Sequence, residues 1–460
     1  MHRMLTIWLC LCAPLGLYAQ YNFGAGNSNY SGIQGSLINP GITAGSPIKW
    51  EINGLSGDLL YDNNFVFIPK GSVPVFGFGS VIHGIINNNK FATTYDPADP
   101  GRSYQFTMST EVVGPSFRMD IGANQSVGFT LAARAYADVR HLPGYTAQNA
   151  FAYLLEDDLW NKPLSDHSSR LNAMGWLEYR ADYSAILFDD GQNRWKAGIG
   201  LSYLQGVVAA YVKNTNLNYT IGDTAQLSFA PSSVDYGRTD YDSYRKIGSY
   251  GDLNHGFGFG VNAGVVFVHA EDTRRPEDYI YRLGFSVMDI GSIKYDRNAA
   301  AFHLQTEGGV FSDWRQTRLT SNLAVDRTLS AVFYQGDSGR SVTGNSFRMA
   351  LPTALSLQAD YHLMDHYYLN ATLVKGLGHG DRQGAIEPDL YSVTPRYESK
   401  WWDLSVPLSL LYYGQWRARV GLAVRAGYFF FGGDAPAALL GLNNWQGTDF
   451  YAGIRFFVLK

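Results

Sequence analysis

Long stretches of this chain alternate between apolar and polar residues, and this pattern constrains the fold more than any other feature. Between Ser126 and Arg140, apolar side chains occupy every second position, from Val127 to Val139. A period of two residues is that of a β-strand, whereas a helix repeats every 3.6 residues. The stretch is also much longer than the five or six residues of an ordinary soluble strand. The pattern therefore predicts long strands with one apolar and one polar face.

The same alternation recurs in pairs of segments that are joined by short turns. Residues 177–187 and 195–203 alternate on either side of a turn at Asp190–Asn193, which predicts a hairpin. The other alternating segments are 257–267, 279–287, 355–361, 367–374, 402–412, 416–426 and 450–459. No run of 18 apolar residues occurs in the chain. If the protein spans a membrane, it must therefore do so with strands, because only helices and closed barrels satisfy the backbone there.

The connections between these segments fall into two classes. Short turns are expected near 121–125, 189–194, 363–366 and 413–415, and long polar connections near 141–172, 206–253, 289–349 and 375–398. Short turns at one rim and long loops at the other are typical of outer-membrane barrels. The predicted fold is all-β: a single antiparallel transmembrane β-barrel of about 14 strands, with a range of 12 to 16. Its short turns would be periplasmic and its long loops extracellular. A soluble β-sandwich is disfavoured by the length of the strands.

Composition agrees with a barrel and excludes one class of partner. Charged residues make up 17% of the chain, below the roughly 25% of soluble domains. Aromatic residues reach 15%, as expected where aromatic girdles flank a bilayer. The formal net charge of −4 gives no electrostatic footprint for nucleic acid, so no nucleic-acid partner is expected.

The N-terminus predicts export to the bacterial outer membrane. Arg3, the apolar run from Leu5 to Leu17 and a small residue at Ala19 follow the order of a secretory signal peptide, so we expect residues 1–19 to be removed. Both cysteines of the chain lie within this signal, and the mature protein would have none. Residues 20–47, rich in Gly, Asn and Ser, are expected to form a periplasmic or plug-like lead-in, and residues 48–460 the barrel.

Nine charged residues lie on the polar phase of the predicted strands. Facing lipid at mid-bilayer, an Arg or Lys would cost roughly 2–4 kcal/mol, so we expect these side chains to face the lumen. They are either a structural network of salt bridges or the polar lining of a solute path. The candidates are Arg134, Asp138, Glu178, Arg180, Asp182, Lys196, Arg417, Arg419 and Arg425.

Short motifs that suggest enzymes have simpler explanations here. The glycine-rich stretch Gly256–Gly260 is not followed by the helix that a phosphate loop requires. Gly336–Gly339 matches a fragment of a serine-protease signature but has no nucleophile elbow around it. His362 and His366 flank a turn between strands rather than sharing a helix face. The sequence predicts no enzyme, no catalytic residues, no cofactor and no metal site.

Several segments together resemble a known family. They are Gly26–Tyr30, Asn39–Pro40, Arg282–Ile293, Leu351–Thr353 and Gly447–Gly453. In this order they resemble a Bacteroidota outer-membrane β-barrel family of unknown function. The chain is more distantly similar to fatty-acid-transporter-type barrels and to barrels associated with secretion and gliding. The resemblance implies a fold and a location, and it supplies no catalytic residues.

Two functions remain open at this point. The first is a gated or plugged route for small or hydrophobic solutes through a largely blocked lumen. The second is a scaffold barrel that docks a surface or protein-secretion partner through its long loops. In both cases outer-membrane lipid is an expected partner.

Overall fold

The computed structural model describes residues 23–70, 91–151, 157–222, 226–240, 253–312, 321–378, 380, 382–433 and 444–460. The predicted signal peptide at residues 1–19 lies outside the described residues, as do both cysteines.

Fourteen antiparallel strands form one closed sheet, which confirms the predicted barrel and its strand number. Each strand pairs with its neighbours in chain order, and the last strand closes the barrel on the first, from Ile48 opposite Leu459 to Asp62 opposite Gly447. In chain order the strands are β1 (Ile48–Asn63), β2 (Ser103–Val113 and Ser116–Asp120), β3 (Gln125–Pro143), β4 (Pro163–Asp166 and Arg170–Asp189), β5 (Asn193–Ile221), β6 (Gln226–Phe229, Ser232–Thr239 and Gly256–Ala270), β7 (Tyr279–Tyr295, Ala299–Thr306 and Gly309–Ser312), β8 (Val342–Gly344, Phe347–Ala350 and Ala354–Met364), β9 (Tyr367–Gly376), β10 (Asp389–Glu398), β11 (Trp402–Ser405 and Leu408–Tyr412), β12 (Trp416–Val420 and Leu422–Ala426), β13 (Phe429–Gly433) and β14 (Gly447–Leu459).

Among the described residues, the helices are short and lie in the N-terminal segment and the connections. They are α1 (Phe23–Gly26), α2 (Ile33–Ile38), α3 (Gly144–Phe151) and α4 (Asn322–Phe333), with 3₁₀ turns at Pro40–Ile42 and Asp157–Leu159 and a small hairpin of Val66–Phe67 with Ala92–Thr93. Within the described ranges, no helix has the length and apolar character needed to cross a bilayer.

The strand connections define two rims. The short-turn rim carries both ends of the barrel and the connections at 121–124, 190–192, 271–278, 365–366, 399–401 and 427–428. The long-connection rim carries the connections at 64–102, 144–162, 313–341, 377–388 and 434–446.

Two expectations about the connections were wrong. The turn at 413–415 lies at the long-connection rim, because β11 runs up to it and β12 returns from it. Much of 206–253 and 289–349 forms strands rather than loops, since β5 continues to Ile221 and β7 to Ser312. In these extensions polar residues interrupt the apolar phase, as in β5 between Lys213 and Asn218. The alternation that marks a half-buried strand is therefore absent, and the residues resemble loops in the sequence.

Burial alternates along the strands as the apolar pattern predicts. On β5, Ile199, Leu201 and Tyr203 are each more than 40% exposed on the outer surface. Lys196 and Ser202, on the opposite face, are each 5% exposed. The result is an apolar outer surface around a polar interior, as in transmembrane barrels.

Candidate functional site

The N-terminal residues 23–47, here called the lumen segment, lie inside the barrel. The segment contains α1, α2 and the 3₁₀ turn, and of residues 24–47 only Leu37, Ile42 and Gly45 are more than slightly exposed. Helices of four and six residues are not stable alone in water, so contacts with the barrel wall must hold their conformation.

One side of the lumen segment binds the wall formed by β9, β10 and β11. The Ser28 hydroxyl donates a hydrogen bond to the Asp403 carboxylate at 2.8 Å. The backbone N–H of Asn29 donates to Glu398 at 3.1 Å. The Asn27 amide donates to Asn370 at 2.9 Å. Two carboxylates of the wall thus accept hydrogen bonds from the segment.

The other side of the segment binds β1 and β14, where the barrel closes. Arg455 Nη1 donates to the Ser31 carbonyl at 2.7 Å and lies 3.3 Å from Glu51 Oε1. The same Glu51 accepts the backbone N–H of Ile33 at 3.0 Å. The segment is therefore tied to opposite parts of the wall.

The end of the segment nearest β1 is held by basic side chains. Lys196 Nζ donates to the carbonyl oxygens of Ile42 at 3.0 Å and Ala44 at 2.9 Å. Arg118 Nη2 donates to the carbonyl of Thr43 at 2.7 Å.

Two inward-facing glycines make room for the turn at Pro40. A Cβ on Gly198 would lie 2.4 Å from the carbonyl carbon and oxygen of Pro40. A Cβ on Gly264 would lie 2.2 Å from Asn39 Oδ1. Any other residue at these positions would push the segment away from the wall. The polar phase of β5 and β6 contains both glycines, but the sequence does not show what lies against them.

Above the lumen segment, Arg134 is the centre of a buried charge network. Its guanidinium contacts both carboxylate oxygens of Asp289 at 2.7 Å and Glu178 Oε2 at 3.1 Å. Glu178 also accepts a hydrogen bond from Ser202 at 2.7 Å, and Arg134 donates to the Tyr136 hydroxyl at 3.0 Å. Four strands (β3, β4, β5 and β7) are thereby linked across the lumen.

The nine candidate charges all have inward partners, but they do not form one site. Arg134 and Glu178 are joined directly, and Arg180 lies 3.1 Å from Asp182 on the same strand. The others are separate: Asp138 with Arg140 at 2.7 Å, Arg417 and Arg419 with Asp62 at 2.9 and 2.5 Å, Arg425 with Asp403 at 2.5 Å, and Lys196 with backbone carbonyls only.

Several equally buried charges lie outside this set of nine. Arg396, 2% exposed, pairs with Asp360 at 2.9 Å and with Glu398 at 2.5 Å, and Arg282 pairs with Asp360 at 3.2 Å. Asp360 lies on the polar phase of its strand, so the rule applied elsewhere would have found it. Asp289 lies beside a break in the strand register with a φ of 55°, and the alternation rule fails there.

The connection between β9 and β10 narrows the lumen near the long-connection rim. Gly384 N–H donates to Asn172 of β4 at 3.3 Å, and Ala350 N–H of β8 donates to the Gln383 carbonyl at 2.9 Å. The connection therefore crosses from one part of the wall to another. It contributes Ala385 to an apolar cluster that includes Trp176.

A chamber lies between the lumen segment and the charge network of Arg134. Gln34, Leu37 and Ile38 of the segment form part of its lining. The charged lining residues are Asp58, Glu111, Asp289, Arg134 and Arg180. The chamber encloses about 470 Å³ of space, including the part that opens to solvent. It is a polar compartment with charges of both signs.

Comparison with protein families gives one match. The model described as "Family of unknown function (DUF5723)" matches residues 76–434, which is most of the chain. No curated protein matches the sequence.

Solved structures of two toluene transporters and of a FadL homologue are similar at low identity. The toluene transporter TodX of P. putida is 8% identical, with 94% of this chain and 95% of that chain covered and a TM-score of 0.44. A FadL homologue of Pseudomonas aeruginosa is 11% identical over 96% and 98% of the two chains, with a TM-score of 0.43. The toluene transporter TbuX of Ralstonia pickettii is 9% identical over 96% and 98%, with a TM-score of 0.40.

Proposed function

We propose that this protein, which belongs to the family of unknown function DUF5723, is a bacterial outer-membrane barrel that provides a plugged, gated route for small solutes. The observation that carries the proposal is the lumen segment, which is buried inside the barrel and bonded to several parts of the wall. In this account the segment is the plug, and its displacement opens the route.

An outer-membrane location follows from the two faces of the strands. Exposed Ile, Leu, Val and aromatic side chains cover the outside, and buried charges are found inside. In water such an outer surface would be a large apolar patch, whereas in a bilayer it is the expected lipid-facing band. Removal of the signal peptide at residues 1–19 and contact with outer-membrane lipid belong to the same proposal.

The chemistry of the segment's contacts suits reversible displacement. A hydrogen bond contributes only about 0.5–1.5 kcal/mol net, and water can replace each one in a polar lumen. The wall carboxylates that hold the segment have partners of their own, because Asp403 pairs with Arg425 and Glu51 with Arg455. When the segment moves, these carboxylates stay paired. Lys196 loses both of its carbonyl partners, so its ammonium group must then be solvated by water that enters the lumen.

The chamber lining narrows the class of solute. Asp58, Glu111 and Asp289 face Arg134 and Arg180 around the same space. An apolar molecule would gain little there and would displace water from charged groups at a cost. Within the proposed class of small or hydrophobic solutes, the chamber therefore favours small polar ones.

Solute uptake into proteoliposomes tests the proposal. Intact protein and a variant lacking residues 20–47 are reconstituted at equal density, and entry of a small sugar and of a small aromatic hydrocarbon is measured. We expect the deletion to raise sugar entry strongly. Heat-modifiable migration on gels is the control for a folded barrel. A folded deletion variant that admits neither solute would contradict the proposal.

A scaffold is the second candidate, and a specific feature favours it. At the long-connection rim, the barrel wall extends into a small sheet made of β5, β6 and β7 and covered by α4. The rings of Tyr236 and Phe302 are stacked there, with their centroids 4.5 Å apart. Leu323 and Val342 in this region are more than half exposed. If neither form of the protein admits solute, while trimming this extension releases a co-purifying surface or secretion protein, the scaffold function replaces the route.

A further inference from the structure

A second cavity lies at the short-turn rim, between the lumen segment and the wall of β5, β6 and β7. It is a narrow cavity that is partly open to solvent. Four basic side chains contribute to its lining: Arg194, Lys196, Arg275 and Arg282. Among the described residues that line it, none is an Asp or a Glu.

Lys196 is the least compensated of these cations. It is 5% exposed, and its ammonium group donates only to the carbonyl oxygens of Ile42 and Ala44. The other charged side chains that line the cavity are also cations, namely Arg194, Arg275 and Arg282. A buried ammonium group normally has a carboxylate partner, and within the described part of the chain Lys196 forms no ion pair.

The arginines of the cavity differ in how far they are already neutralised. Arg194 lies 2.7 Å from Asp189, and Arg282 lies 3.2 Å from Asp360. Arg275 is 73% exposed, and its ion pair with the exposed Asp278 is long, at 3.6 Å. The Arg275 side chain can therefore turn toward a ligand. Lys196 thus leaves positive charge uncompensated at the cavity, and Arg275 is held only by a long, exposed ion pair with Asp278.

Asn29 supplies an independent observation. It lines the cavity and is 5% exposed, and its side-chain oxygen accepts a hydrogen bond from Arg282 Nη1 at 3.2 Å. That bond fixes the orientation of the amide. Its Nδ2 atom is buried and has no hydrogen-bond partner among the described residues. An unpaired buried donor costs about 1–3 kcal/mol, so a ligand that accepts its hydrogen bond would recover that cost.

We infer that this cavity binds a small anion, namely a carboxylate or a phosphate group. Such a group accepts several hydrogen bonds at once. Its negative charge would give Lys196 an ionic partner and would attract Arg275. The anion would lie where the lumen segment meets the wall. The inference goes beyond the proposed route and does not depend on it, because binding can be measured whether or not the barrel admits solute.

Isothermal titration of the full mature protein in detergent at low chloride tests the inference. The probes are inorganic phosphate, acetate and a short-chain phosphatidate, which separate a free phosphate, a carboxylate and a lipid headgroup. Saturable one-site binding of at least one probe is expected. If none of the three binds, the inference is overturned.

Three variants locate the site. Asn29→Asp places a carboxylate in the cavity with almost no change of shape, so it should abolish anion binding while the protein stays at least as heat-stable as the parent. Arg275→Ala should weaken binding roughly tenfold, the value of one charge-assisted hydrogen bond. Arg274→Ala is the matched control, because Arg274 is 87% exposed, bonds to Asp272 and does not line the cavity. Unchanged binding in Asn29→Asp would contradict the assignment.

Discussion

Most buried charges in the described part of this protein have a partner of opposite sign, while Asp58 and Asp166 accept hydrogen bonds from N–H groups instead. Arg134 is the central example, with Asp289 and Glu178 in direct contact and Glu111 at 3.9 Å. Since two charges removed from water are costly unless they are paired, the network is stable only as a unit. Its role at the residue scale is to link strands across the lumen above the segment.

Arg134→Met should therefore destabilise the barrel strongly. It removes the shared cation of three carboxylates, and breaking a buried pair costs about 3–5 kcal/mol. Urea unfolding in lipid vesicles measures the change. The double variant Arg134→Met with Asp289→Asn should recover part of the loss, because one of the stranded carboxylates is neutralised. No recovery would show that the pair does not act as a unit.

Residues that face lipid are tested by a second substitution. Ile199 is 41% exposed on the outer surface, several residues from the turn, whereas Leu187 is 68% exposed beside the short-turn rim. Ile199→Arg should cost about 2–4 kcal/mol and Leu187→Arg about 0–1, because the cost of a charge depends on its depth in the bilayer. The free energies of unfolding of the two variants in lipid vesicles measure these costs. Equal costs would contradict the proposed membrane position.

Charges on regular strands could be predicted from the sequence, while the partners of those charges could not. Arg134 and Glu178 lie on strands whose apolar phase is unambiguous, so their direction follows from the period of two residues. Their contact with Asp289 depends on the register of β7 and on a local break in pairing, which the sequence does not encode in any simple pattern. The same limit applies to Asn29, because its free amide depends on how the lumen segment folds.

At the scale of elements, the lumen segment is the feature that determines the proposed function. Its weak intrinsic structure and its polar contacts suggest that a single steric change can displace it. Gly198→Ala would place a methyl group 2.4 Å from backbone atoms of Pro40, which cannot rotate away. We expect the substitution to move the segment while β5 remains paired.

Thiol labelling measures this displacement. In a Ser36→Cys background, a water-soluble maleimide should react slowly, because Ser36 is 5% exposed. Adding Gly198→Ala should accelerate the reaction. Gly114→Ala is the matched control, since its nearest neighbour would be 3.7 Å away, an ordinary contact. Equal labelling in all three proteins would mean that the glycine does not position the segment.

The connection at 377–388 should act as a second constriction in series. If it is replaced by a two-residue turn while the lumen segment is present, conductance should stay unchanged, because the segment still blocks the route. In a variant that also lacks residues 20–47, the shortened connection should raise conductance beyond the deletion alone. Single-channel recording distinguishes the four proteins. An increase from the shortened connection alone would place the main barrier there.

For the whole molecule, the barrel and its strand number could be predicted because strand periodicity is a local property of the sequence. Closure of the barrel needs no further sequence signal, because β1 and β14 pair with each other as the other neighbouring strands do. The extensions of β5 and β7 were missed because they lie outside the proposed lipid band, where short apolar stretches that pack against α4 are interrupted by polar residues. The origin of the chain in Bacteroidota and its link to secretion remain predictions.

In the proposed function, the N-terminal segment of this protein closes its own barrel. Planar-bilayer recording compares the intact protein with the variant lacking residues 20–47. We expect no steady conductance from the intact protein and stable channels from the folded deletion variant. A large steady conductance from the intact protein would contradict the proposed function.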